Sequence, residues 1–131
     1  MVSSPVLFDT CILIDYLRGI PQARAVCDRC GDRGISIVTW MEVLAGATAA
    51  QDDEARSFLL NFQLFPLTSE IAERAVKIRR SSKVKLPDAI IQATAQSEGR
   101  VLLTRNTRDF PASAPGVHIP YTLSLRNTSR T

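Results

Sequence analysis

Short apolar runs alternate with amphipathic stretches along the chain. Pro5 to Phe8 is a brief apolar run that predicts a strand. Residues 11–18, CILIDYLR, predict a short helix ended by Gly19, and Pro21 opens a second helix that stops near Gly31. Ile35 to Val38 is β-branched apart from Ser36 and predicts a second strand, after which Thr39 starts a helix reaching about Ala50. Asp52 to Asn61 predicts another helix, and Gln63 to Leu67 a third strand. Between Ser69 and Arg80 the residues Ile71, Ala75 and Ile78 share one helical face. Pro87 to Glu98 predicts a helix closed by Gly99, Val101 to Thr104 a fourth strand, and Val117 to Ile119 a fifth.

Apolar strands of this length, separated by helices, predict a parallel sheet covered on both faces. In such folds ligands gather beyond the carboxyl ends of the strands. The 131 residues suit one domain, taken as residues 1–123, followed by a polar, frayed tail at 124–131. An apolar share of 45% is enough for a core without disulfides or a structural metal. The opening Met-Val-Ser-Ser-Pro lacks the pattern of a signal peptide, and Cys11, Cys27 and Cys30 make an odd count. Both point to a reducing, cytoplasmic setting. No apolar run approaches the ~18 residues of a membrane helix, so no membrane partner is expected. The net charge of +3 permits an anionic partner without demanding one.

Acids fall where the strands end. Asp9-Thr10 follows the first strand, Glu42 lies in the first turn of the helix after the second, and Asp109 follows the fourth within Arg-Asn-Thr-Arg-Asp. Asp88 lies in the first turn of the helix that leads into the fourth strand. In a parallel sheet all four can reach one edge. Four converging carboxylates would repel one another unless a cation neutralised them. Oxygen-only ligation suits Mg²⁺ or Mn²⁺, one ion or two. A site of that kind hydrolyses phosphodiesters by activating water, with no side-chain nucleophile. Other chemistries are poorly supplied. The single histidine, His118, is far in sequence from the acids, and no nucleophile elbow or glycine-rich phosphate loop is present.

The stretches VLFDTCILIDYL (6–17), SIVTWMEVLAG (36–46), LPDAIIQATA (86–95) and LLTRNTRDF (102–110) together resemble the PIN-domain family, and within it the VapC-type toxins of type II toxin–antitoxin systems. They occur in the family's order and span nearly the whole chain. The resemblance implies a three-layer α/β/α sandwich around a parallel sheet of about five strands. It implies Mg²⁺- or Mn²⁺-dependent endonucleolytic cleavage of RNA that leaves a 5′-phosphate and a 3′-hydroxyl. It also implies a homodimer held in check by a VapB-type antitoxin, with operator DNA met only through that antitoxin. Carried over by position, Asp9 and Asp88 match the strongest metal-binding sites, and Glu42 and Asp109 match the other two acids. Thr10 and Thr104 match supporting hydroxyls. Cys11 departs from the family's usual Asn or Ser, which puts a polar supporting role there in question. Asn106 stands where some relatives carry an acid, so it is a helper to Asp109 or its substitute.

Each acid also has a plainer explanation. Thr39-x-x-Glu42 is a capping-box pattern, Asp88 suits a helix dipole, and Asp109 suits a polar turn. Cys27-Asp-Arg-Cys30 reads as two small apolar helix residues rather than half a zinc site. Trp40, Phe58, Phe62, Phe65 and Phe110 read as core or interface. The basic run Lys77, Arg79, Arg80, Lys83 and Lys85 fits a phosphate-holding rim or a solvated helix end equally well. Arg105 and Arg108 are the better candidates for touching RNA. Asp15 and Glu70 read as ordinary surface acids. The rival to a ribonuclease is a catalytically silent domain that dimerises and binds an antitoxin. A phosphatase with Asp9 as nucleophile lacks the second acid of an Asp-x-Asp pair, since Cys11 stands there.

Overall fold

The structure is a computed structural model that describes residues 4–108, 110 and 114–123. Five strands, β1 (Val6–Phe8), β2 (Arg33–Ser36), β3 (Gln63–Phe65), β4 (Val101–Leu103) and β5 (Val117–His118), form one sheet in the order β3-β2-β1-β4-β5. Every neighbouring pair is parallel. The helices are α1 (Thr10–Leu17), α2 (Pro21–Arg29), α3 (Ile37–Ala45), α4 (Asp52–Leu59), α5 (Ser69–Ser81) and α6 (Leu86–Ser97).

The expected parallel sheet is therefore present, and strand-to-strand alternation explains its two covered faces. Val6 and Phe8 of β1 join an apolar cluster with Ile12 of α1, Val26 of α2 and Leu59 of α4. Leu7, pointing the other way, joins Ile71 and Ala75 of α5 and Ile91 of α6. Three layers result, α1 to α4 over one face and α5 with α6 over the other. The strands β1, β2 and β3 step outward to one side, and the chain returns through α5 and α6 to lay β4 on the opposite side of β1. In folds of this kind ligands gather where the strand order reverses, here beyond the carboxyl ends of β1 and β4. Leu103 pairs with Phe8, so the residues that follow each, Asp9 and Thr104, emerge side by side.

The second strand differs from expectation by two residues. It ends at Ser36, and Ile37 and Val38 open α3. The Ser36 side chain accepts a hydrogen bond from the Val38 amide at 3.0 Å and caps the helix. That cap outweighs the β preference of two branched residues. α3 also stops early, at Ala45 rather than near Ala50, with Gly46 as its C-cap. Thr39 consequently lies inside the helix, and the capping-box explanation of Glu42 fails. The third strand stops at Phe65 because Pro66 cannot continue a ladder.

Cys27 and Cys30 are buried free thiols of the core. Burial pushes the Cys27 thiol up to about 12, so it stays protonated and packs as a small apolar residue. Phe62, Phe65 and Phe110 are likewise buried, with Trp40 and Phe58 packed against the core. Among the described residues no helix is long and apolar enough to cross a membrane. The polar tail expected from residue 124 lies outside the described residues.

Gly34 has no room for a side chain. A Cβ there would lie 2.8 Å from Phe65 Cε2 and 3.1 Å from the nearest Arg100 nitrogen. Neither neighbour can yield easily. Arg100 donates to the Val6 carbonyl at 3.1 Å and to Asp32 Oδ1 at 2.8 Å, while its guanidinium lies 4.7 Å from the Phe65 ring centre. Gly34→Ala is expected to cost about 1–3 kcal/mol through overpacking, read as a lower urea midpoint with an unchanged slope.

Candidate functional site

Asp9 caps α1 with extended backbone, and its Oδ1 accepts from the Thr10 amide at 2.8 Å. Its Oδ2 accepts from the Thr104 hydroxyl at 2.6 Å and from the Cys11 thiol at 3.4 Å. The carboxyl is only 4% exposed. Burial pushes its pKa above the ordinary 3.8, the bonds from Thr104, Thr10 and Cys11 pull it back in part, and the nearby Glu42 charge adds to the rise. A carboxylate held away from water with three donors and a like charge beside it favours a cation in its neighbourhood. Cys11 does supply a polar contact, although sequence put that role in question.

Glu42 reaches the same neighbourhood through Thr10. The Thr10 hydroxyl donates to Glu42 Oε1 at 2.6 Å and lies 3.0 Å from the buried Thr39 hydroxyl. One hydroxyl carries one proton, so Thr10 divides it between the two oxygens, with the shorter contact to the charged carboxylate favoured. Glu42 itself is exposed. The alcohols of α1 and α3 thus tie the two acids into one network. Sequence reading missed Thr39 as a member, because the shifted start of α3 is what turns it inward.

Thr104 follows β4 directly and is fully buried. Its hydroxyl also accepts from the Asn106 amide at 3.0 Å, which fixes the hydroxyl proton on Asp9. Asp88 sits in the first turn of α6 and is partly exposed. Asp109 lies outside the described residues. Among the described residues no three His, Cys, Asp or Glu side chains approach closely enough to hold an ion together. Within the site Asp9 and Glu42 are joined by Thr10, and Thr104 and Cys11 both contact Asp9. The side-chain atoms gathered around Asp9 and Glu42 are mainly carboxylate and hydroxyl oxygens, with the Cys11 sulfur beside them, a set that fits a hard divalent cation better than a soft one.

Asp15 is not a surface acid. It is 2% exposed and accepts from Arg105 Nε at 2.5 Å, from a second Arg105 nitrogen at 3.0 Å and from the Tyr121 hydroxyl at 2.7 Å. The signal for its burial was present, since Asp15 lies three residues from Ile12 within an otherwise apolar helix. Its partners were not legible, because both come from the other end of the chain. The same contacts bind Arg105 into the fold rather than leaving it free. Arg108 is exposed, as are Lys77, Arg79, Arg80, Lys83 and Lys85. Glu70 is a surface acid as expected, 3.8 Å from Arg74.

Residues 6–114 match the family model of the PIN domain. The chain belongs to the PIN-domain family. As a PIN domain it is 34% identical over 114 residues to a protein named ribonuclease VapC10 from Mycobacterium tuberculosis, covering 81% of this chain and 86% of that one. Among solved structures it is similar to a chain of a toxin–antitoxin complex from Klebsiella pneumoniae, with 45% identity, a TM-score of 0.85, and coverage of 90% and 99% of the two chains. FitAcB from Neisseria gonorrhoeae shares the fold at 24% identity and a TM-score of 0.75, over 90% and 99% of the two chains. The three-layer PIN arrangement expected from sequence is thus the observed one, with Asp9 and Thr104 of this PIN domain meeting at its switch point.

Proposed function

We propose that this chain is a VapC-type toxin, a metal-dependent endoribonuclease paired with an antitoxin. The observation that carries the reading is the buried Asp9 carboxylate at the sheet's switch point, raised in pKa by burial and tied through Thr10 to Glu42. The ribonuclease name of the mycobacterial relative and the toxin–antitoxin title of the Klebsiella neighbour support it.

Asp9, Glu42, Asp88 and Asp109 are the residues that would hold Mg²⁺ or Mn²⁺, as one ion or two. Such an ion, when bound, lowers the pKa of water and stabilises charge on a phosphodiester. Thr104 orients Asp9 by donating to Oδ2, where Cys11 also donates, so that with the Thr10 amide on Oδ1 a lone pair of Oδ1 remains for another ligand. Thr10 orients Glu42 by donating to its Oε1. The Asn106 amide holds the Thr104 hydroxyl in place, and the Asn106 side chain is a further polar group for the site. Arg108 and the exposed basic run are suited to RNA phosphates, while Arg105 contributes by bracing the loop. The partners are an RNA substrate, a VapB-type antitoxin through which operator DNA is met, and a second copy of the chain, all in the cytoplasm.

Purified full-length protein freed of antitoxin is expected to cut RNA in Mg²⁺ or Mn²⁺, leaving 5′-phosphates, and to stop in excess chelator. Protein that binds antitoxin yet neither cuts RNA nor slows growth when expressed alone would replace this reading with that of a silent binding domain.

A further inference from the structure

Attachments near both ends of α1 join it to the segment that follows β4, a buried one at its start and a part-buried one near its end. At the start of the helix, Asp9 receives the Thr104 hydroxyl. Six residues later, Asp15 receives Arg105, the residue next to Thr104, through two nitrogens. Tyr121, from the stretch after β5, closes the second attachment from a third direction. One contact between two segments leaves a pivot, whereas two fix an orientation. Burying the Asp15 carboxylate is a costly way to hold a loop, since its desolvation offsets much of the attraction to Arg105. The pair's position beside Thr104 gives the arrangement a use that a surface pair would lack.

We propose that Asp15 is a positioning residue for the divalent-cation site: through Arg105 it holds the Thr104–Asn106 segment so that the Thr104 hydroxyl stays on Asp9. The inference rests on the reading of Asp9 as a metal-binding carboxylate. Two consequences of losing Asp15 act in the same direction. The Thr104 hydroxyl is no longer fixed against Asp9 Oδ2. The Arg105 guanidinium, released from its partner, becomes a competing cation one residue from the site. Outer partners that orient metal-binding groups typically change metal affinity by about 10–100-fold when removed.

The experiment is a Mn²⁺ titration of the full chain, with free Mn²⁺ followed by electron paramagnetic resonance, for the wild type, Asp15→Asn and Tyr121→Phe. Asp15→Asn is expected to bind Mn²⁺ about 10–100-fold more weakly. Tyr121→Phe, which keeps the ion pair and loses the hydroxyl's bond to the Asp15 carboxylate, is expected to weaken binding severalfold, less than Asp15→Asn, because the two Arg105 contacts remain. A merely structural Asp15 would lower the unfolding midpoint and leave the Mn²⁺ constant of the folded protein where it was. Equal constants for wild type and Asp15→Asn overturn the proposal. Should Asp15→Asn fail to fold, Tyr121→Phe decides, an unchanged constant again counting against it. Wild-type protein that binds Mn²⁺ but cuts no RNA removes the ribonuclease reading and leaves this comparison intact, while a wild type that binds no Mn²⁺ removes both.

Discussion

Asp9→Asn is expected to abolish RNA cleavage and leave the fold standing. The expected loss is about a thousandfold or more in rate, because a metal-held site stabilises several kcal/mol of transition-state charge and each ~1.4 kcal/mol is a factor of ten. Asparagine matches aspartate in shape, so the α1 cap can persist through its Oδ1, which accepts from the Thr10 amide. The side chain's NH₂ can then donate toward Thr104 Oγ1, whose own proton turns to the Cys11 sulfur 3.6 Å away. Stability should behave oppositely to activity. Burial raises the Asp9 pKa above 3.8, so the unfolded chain releases that proton first as pH rises. Stability of the metal-free protein therefore falls between 3.8 and the folded pKa, and the loss persists at neutral pH. Asp9→Asn lacks that decrement. In chelator its thermal midpoint at pH 7 should equal or exceed that of the wild type, and the gap should close as pH falls. Residual cleavage within tenfold of the wild type would move the chemistry away from Asp9.

Arg105→Ala has the largest expected effect on stability. Among the described residues it leaves Asp15, 2% exposed, with the Tyr121 hydroxyl as its remaining side-chain donor. Breaking a fully buried pair costs about 3–5 kcal/mol. The Arg105 side chain is 30% exposed, so water can reach part of the gap, and about 2–4 kcal/mol is the better expectation. At roughly 3–4 °C per kcal/mol for a chain of this size, the midpoint drops by about 10 °C. The double variant Asp15→Leu with Arg105→Ala should recover much of that loss, since replacing both charges removes the unpaired group. A midpoint unchanged in Arg105→Ala would mean that Asp15 is hydrated in solution. Recovery in the double variant extends to stability alone. Its Mn²⁺ affinity should stay low, because the Asp15–Arg105 attachment that fixes the orientation of Thr104 against Asp9 is gone.

The sequence by itself determined much of this protein. The alternation of apolar runs with amphipathic stretches specified a parallel sheet with two covered faces, since a strand buried on both sides cannot carry alternating polar residues. The positions of Asp9 and Thr104 at strand ends followed from the same pattern. Local competition decided the rest of the element boundaries. Ser36 as a cap pulled Ile37 and Val38 out of the second strand, and a β preference spread over two residues is too weak to resist a good cap. Only the tertiary structure decided who meets whom. Strand order brings residues 9 and 104 into contact across 95 positions, and 15 with 105 and 121 across 90 and 106. No periodicity encodes such pairings, because they depend on which strands become neighbours after the crossover. The place of Asp15 three residues from Ile12 in α1 signalled its burial, but its compensating cation is chosen by the packed fold.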